Sequence, residues 1–178
     1  MNAGKTTTLL QSSHNYAERG MTTLLLKPLI DDREGMNVIR SRVGLEAEAK
    51  NFEKDDNLLQ TIEAQHKTKA LNCVLVDEAQ FLTRKQVRGL TKIVDDLNIP
   101  VFAYGLRTDF KGELFEGSKY LLAWADNIEE ISTFSPGTVD KATFNMKIDG
   151  EGEKITTGDS ISAGFGYLPV SRKAFSLK

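Results

Sequence analysis

The run Asn2-Ala3-Gly4-Lys5-Thr6-Thr7 puts a glycine, a lysine and two hydroxyls in consecutive positions, directly ahead of a helix-forming stretch. Backbone N–H groups at a helix start cradle phosphate oxygens, and this pattern is the latter part of a Walker A loop. Lys5 would reach the terminal phosphates of ATP, and Thr6 would give its hydroxyl to the magnesium ion that bridges them. Gly-Lys-Thr also occurs by chance at ordinary helix N-termini, so the motif needs a partner elsewhere in the chain. The motif's first glycine and the strand ahead of it are absent from a chain that begins at Met1, and an incomplete start is the expectation.

The partner is Cys73-Val74-Leu75-Val76-Asp77-Glu78, an apolar strand that ends in two acids, the form of a Walker B segment. At the C-terminal edge of a parallel sheet, Asp77 can hold magnesium while Glu78 accepts a proton from an attacking hydroxyl. An isolated Asp-Glu pair where a strand meets a loop is usually just solvated. Joined to Lys5 and Thr6 it reads as a phosphoryl-transfer site.

The elements that must position these residues alternate. A helix is expected from Gly4 to Arg19, with Leu9 and Leu10 inward and Gly20 as its stop. Met21 to Leu26 reads as a buried strand, Pro28 to Gly44 as a charged functional loop, and the next stretch as a weaker extended or helical piece ending near Phe52. A helix over Asp55 to Lys67, a strand over Asn72 to Val76, a helix over Thr83 to Leu97 with Thr83 as N-cap, and a strand over Pro100 to Tyr104 follow. After a polar loop comes a helix over Leu114 to Trp124. Such alternation predicts an α/β fold: a P-loop NTPase-like parallel sheet with helices on both faces. Beyond Asp126, strands are expected over Asn127 to Phe134 and Ala142 to Ile148, with a glycine-rich loop over Asp149 to Gly166. The chain thus divides into an ATP-binding domain, 1–126, and a small β-rich lobe, 127–178.

Composition narrows the partners. With 178 residues, 40% hydrophobic, 27% charged and a net charge of −2, the chain has no broad attraction to nucleic acid. Its apolar runs fall short of a membrane span, and no signal peptide pattern is visible. The single cysteine, Cys73, and two histidines far apart, His14 and His66, give no metal spacing, and a cytoplasmic, reducing setting is expected.

At Asp77-Glu78-Ala79-Gln80-Phe81-Leu82 the chain resembles the type II thymidine kinases. The resemblance extends to Met1-Asn2-Ala3-Gly4-Lys5, Asp31-Asp32-Arg33, Ser41-Arg42-Val43-Gly44-Leu45, Gly105-Leu106-Arg107-Thr108-Asp109-Phe110 and Tyr167-Leu168-Pro169-Val170-Ser171-Arg172-Lys173. It implies ATP-dependent phosphorylation of the thymidine 5′-hydroxyl, with Glu78 as general base and Lys5, Thr6 and Asp77 serving phosphates and magnesium. It further implies that Arg33 stabilises phosphate charge, supported by Asp31. The nucleoside slot it implies is formed by Met1, Phe81, Leu106, Phe110 and Tyr167 with a C-terminal lasso that includes Ile161 and Ser162. Base recognition would rest on lasso backbone groups, and deoxyuridine should also be accepted, because one methyl contact is worth roughly 1–3 kcal/mol. A homotetramer is likewise implied.

Two departures from the family pattern stand out. The positions at which the family holds a structural zinc are Ser135, Thr138, Ser171 and Ala174 here, none of them a thiolate or imidazole, so no zinc is expected. Ile161-Ser162-Ala163 stands where the family tends to carry Ile-Gly-Gly. The missing first strand and the replaced zinc positions keep open a catalytically weak nucleotide-binding or regulatory homologue; a P-loop ATPase with another acceptor is a third reading.

Overall fold

The computed structural model describes residues 3–30, 37–158 and 166–176. Helix α1 (Lys5–Glu18) starts after Gly4, whose φ of 81° turns the chain into the first helical residue, a conformation that favours glycine. It stops where the Gly20 N–H returns to the Ala17 carbonyl at 2.9 Å. Strand β1 (Thr23–Pro28) follows, then a small antiparallel hairpin of β2 (Val38–Arg40) and β3 (Glu46–Glu48), then β4 (Lys50–Phe52). Helix α2 (Leu58–Thr68), β5 (Cys73–Val76), a single 3-10 turn (Ala79–Phe81), α3 (Arg84–Leu97) and β6 (Val101–Ala103) complete the alternation.

Four strands form a parallel sheet in the order β4-β1-β5-β6. The pairing of Leu25 with Leu75 and of Leu26 with Val76 fixes which side chains share a face. On one face Leu25, Cys73 and Leu75 pack with Leu9 and Leu10 of α1 and with Ile39 of the hairpin. On the other, Leu26, Val74 and Val76 pack with Ile62 of α2 and Val87, Leu90 and Ile93 of α3. Full burial of Val74, Leu75 and Val76 is worth about 1.5–3 kcal/mol for each side chain and explains the unbroken apolar run of β5. Cys73, on the α1 face, is also wholly buried, and desolvation pushes its thiol up to about 11. The expected parallel sheet with helices on both faces is therefore present.

Thr83 caps α3 as its sequence suggests, and Gln86 completes a capping box by bonding back to the Thr83 N–H at 3.0 Å. Other expectations shift. The loop read over Pro28 to Gly44 contains β2, and Pro28 itself belongs to β1. The helix expected from Leu114 begins at Glu116 (α4, Glu116–Trp124). The long strand expected over Asn127 to Phe134 is only β7 (Thr133–Phe134), paired with β8 (Lys141–Ala142). Strand β9 (Phe144–Ile148) is central in a three-stranded antiparallel sheet between β10 (Lys154–Ile155) and β11 (Gly166–Val170), followed by α5 (Arg172–Ser176). Thus the glycine-rich stretch read as loop carries β10, which short polar sequence does not announce.

Ser135 and Thr138 lie in the β7–β8 connection, where the Ser135 N–H donates to the Asp140 carbonyl at 2.8 Å and the Asp140 N–H donates to the Thr138 hydroxyl at 3.1 Å. Ser171 caps the start of α5, its hydroxyl accepting from the Ala174 N–H at 3.3 Å. Hydroxyl and backbone hydrogen bonds thus hold these turns.

The start of α4 lies hard against the 3-10 turn. A Cβ on Gly117 would come within 2.5 Å of the Ala79 carbonyl oxygen and 2.8 Å of that of Gln80, atoms that cannot move aside without shifting the backbone. Helix propensity alone would make Gly117→Ala stabilising by about 1 kcal/mol. Overpacking costs about 1–3 kcal/mol and should prevail, so the variant is expected to melt several degrees lower in differential scanning calorimetry; an unchanged or higher melting temperature would contradict the close approach.

Candidate active site

The Walker-like residues meet at the C-terminal edge of the parallel sheet. Thr6, in the first turn of α1, donates its hydroxyl to Asp77 Oδ2 at 3.1 Å, tying the helix start to the end of β5. The second carboxylate oxygen of Asp77 accepts the Glu78 N–H at 2.9 Å. Asp77 is only 5% exposed. Burial pushes its pKa up to about 6, reinforced by the neighbouring Glu78 charge and opposed by the two hydrogen bonds and by Lys5. Lys5, Thr6, Asp77 and Glu78 therefore converge.

Glu78 adopts a left-handed conformation, φ 46° and ψ 40°, unusual for a residue with a Cβ and costing of order 1 kcal/mol or more. Its neighbours hold it there. The Ala79 N–H donates to the Tyr104 carbonyl at 2.8 Å, and the Tyr104 N–H donates to the Val76 carbonyl at 2.8 Å, so β5 and the end of β6 clamp the turn. The reversal sends the Glu78 side chain towards Gln80, whose amide Nε2 donates to Glu78 Oε2.

Phe81 meets Phe115 edge to face at 5.8 Å between centroids and keeps part of its surface open. Leu106 follows β6 and is half-buried. Phe110 is 2% exposed, and the Lys147 ammonium lies 4.9 Å from its ring centroid, so its ring is largely committed to packing. Tyr167 is half-buried on β11, paired in register with Lys147. Ala3, Gly4 and Thr7 flank Lys5 and Thr6 at the start of α1. Met1, Asn2, Asp31, Arg33, Ile161 and Ser162, all site candidates from the sequence, lie outside the described residues.

Sequence reasoning missed two features here. The bridging role of Gln80 had only its place in Asp-Glu-x-Gln-Phe as a signal. Lys27, 3% exposed at the end of β1, donates to the Val38 carbonyl at 3.0 Å, and a lysine closing an apolar strand was the available cue. The histidines carry none of the site: His14 faces Glu18 at 3.4 Å on the surface, and His66 Nδ1 accepts the Leu71 N–H at 3.0 Å.

The raised pKa of Asp77 has a signed consequence. Because its folded value lies above the ordinary 3.8, the unfolded chain ionises first, and stability falls as pH rises between about 4 and 6. Above that window the penalty is constant, of order 3 kcal/mol at most for a shift of this size. Asp77→Asn removes it and keeps an acceptor for the Glu78 N–H. The variant is expected to melt several degrees above the wild type at pH 7.5, in the absence of nucleotide and metal, and to lose that advantage at pH 4. A lower melting temperature for the variant at pH 7.5 would count against Asp77 as a destabilised buried acid.

The sequence as a whole matches known proteins. The sequence model of the family described as Thymidine kinase matches residues 1–175. A thymidine kinase of Xanthomonas oryzae pv. oryzae is 54% identical over 178 residues, covering 98% of this chain and 85% of the relative. One of Shewanella oneidensis is 51% identical over 177 residues, covering 98% of this chain and 92% of the relative. One of Aliivibrio fischeri is 52% identical over 171 residues, covering 96% and 88%. A match this long, running through both the turn before α1 and the acids after β5, means that the chain belongs to the thymidine kinase family.

Proposed function

We propose that this chain transfers the γ-phosphoryl group of ATP to the 5′-hydroxyl of thymidine, giving thymidine monophosphate and ADP, and that it also accepts deoxyuridine. The observation that carries the reading is the junction of Thr6 with Asp77 at 3.1 Å, with Lys5 and Glu78 on either side of it in the chain. Family membership supplies the acceptor.

In this reading Lys5, with Asn2, Ala3, Gly4 and Thr7, holds the phosphates. Glu78 accepts the proton of the 5′-hydroxyl as its oxygen bonds to the γ-phosphorus and the bond to the ADP oxygen breaks, the electron pair leaving with ADP. Arg33, supported by Asp31, stabilises the negative charge of the transferring group. Met1, Phe81, Leu106, Phe110, Ile161, Ser162 and Tyr167 enclose the nucleoside, with Phe110 serving as a wall behind the slot. Thr6 and Asp77 suit magnesium, which commonly takes one or two carboxylates and completes its shell with phosphate oxygens and water. The buried, incompletely compensated charge of Asp77 is what a cation would satisfy. When bound, magnesium neutralises charge on the phosphate oxygens.

The division at residue 126, a homotetrameric assembly and a cytoplasmic location belong to the same proposal. Light scattering of the purified protein checks the assembly. Among the described residues no helix is long and apolar enough to cross a membrane.

The test begins with ATP-dependent conversion of thymidine by folded protein. Glu78→Gln is then expected to lower kcat by about 10²–10⁴-fold while thymidine binding, followed by calorimetry, stays within about threefold. An undiminished rate removes Glu78 as the base. Folded wild type that binds ATP and thymidine without turnover favours the catalytically weak homologue instead.

A further inference from the structure

Gln80 occupies an unusual position between the two halves of the site. Its side chain is 2% exposed, and both ends of its amide are used. The Nε2 end donates to Glu78 Oε2, and Oε1 accepts the Leu106 N–H at 3.0 Å. That pattern fixes the amide orientation, since a flipped amide would set an oxygen against a carboxylate and a donor against a donor. The far side of Leu106 is held too, its carbonyl accepting the Ser118 hydroxyl at 2.5 Å from α4. Gly105 lets this happen: a Cβ there would lie 2.9 Å from both the Gln80 backbone nitrogen and Oε1.

We propose that Gln80 is a positioning residue that locks the Glu78 carboxylate to the backbone at Leu106, so that the proton acceptor and the nucleoside-contacting segment are set in one frame. This rests on the thymidine kinase reading given above. Glu78 lies in a strained left-handed conformation, and its carboxylate takes a donated hydrogen bond from a side chain that is itself buried and hydrogen-bonded at both ends of its amide. A charge-assisted bond of this kind restricts the carboxylate to one rotamer. The same amide holds Leu106 from the other end, and a displacement of about 1 Å between reacting groups can cost 10²-fold in rate.

The two ends of the amide can be separated. Gln80→Glu keeps an oxygen for the Leu106 N–H but loses the donor to Glu78; Gln80→Met is close in volume and loses both. Gln80→Glu is expected to lower kcat about 10–100-fold with thymidine KM within about threefold, whereas Gln80→Met lowers kcat similarly and raises thymidine KM about tenfold. KM for ATP is expected to stay unchanged in both. In a Glu78→Ala background Gln80→Met should cost no further kcat, because the group it positions is gone, yet still raise thymidine KM. A merely structural role predicts the same kcat loss in both backgrounds, and that result overturns the proposal, as does wild-type kcat in either single variant.

A readout independent of turnover and of Gln80 variants is the side-chain amide proton resonance of Gln80, which should shift upfield in Glu78→Ala as its acceptor is lost. If that resonance stays in place, Gln80 does not hold Glu78. Absence of thymidine turnover in the wild type with the resonance shift intact would instead sink the substrate reading alone.

Discussion

A carboxylate withdrawn from water at the end of a buried strand is the constraint around which this molecule is arranged. Asp77 sits where β5 leaves the apolar layer, and burial disfavours its ionised form. Among the described residues, the Thr6 hydroxyl and the following backbone N–H bond to it. A divalent cation would offset that cost, because it favours the charged carboxylate. Local instability of this kind is a common companion of binding function.

The second constraint is steric. The 3-10 turn Ala79–Phe81 is tightly packed at Ala79 and Gln80, because Gly105 and Gly117 bring the segment after β6 and the start of α4 to within less than a side chain of its backbone. The left-handed Glu78 is held by that enclosure and by backbone bonds from Ala79 and Tyr104. Strain at one residue is thus sustained by packing from two sides and by backbone hydrogen bonds, and the direction in which the acid points follows from it. Rigid elements place the acid within a hydrogen bond of Gln80, and the loop after β6 completes the frame.

How much of this the residues disclose depends on how far each signal reaches. Strand β5 was legible because its apolar run is too short for a helix, carries two valines and fits a sheet with both faces covered. Helix α3 was legible from Thr83 and the spacing of Val87, Leu90 and Ile93. The β2–β3 hairpin escaped because its three-residue strands carry Arg40, Glu46 and Glu48, charged side chains that announce loop, while Ile39 enters the core and Ala47 packs against it. Strands β7 and β10 are two residues long and take their shape from neighbours rather than from local preference. In the candidate site, motif chemistry suggested Lys5, Thr6, Asp77 and Glu78, whereas Phe81, Leu106, Phe110 and Tyr167 came from family resemblance alone. The bond between Gln80 and Leu106 spans 26 residues, and no local pattern could have revealed it.

Cys73 lies one strand-length from the acids, wholly enclosed and with a thiol that burial keeps protonated. Reagents that attack sulfur react with exposed thiolate, so they can reach this atom only when α1 lifts from β5 or the sheet comes apart. Its rate of labelling is therefore a built-in clock for the rarest opening motions of the layer between α1 and the sheet, in a chain with no other sulfhydryl to confuse the record.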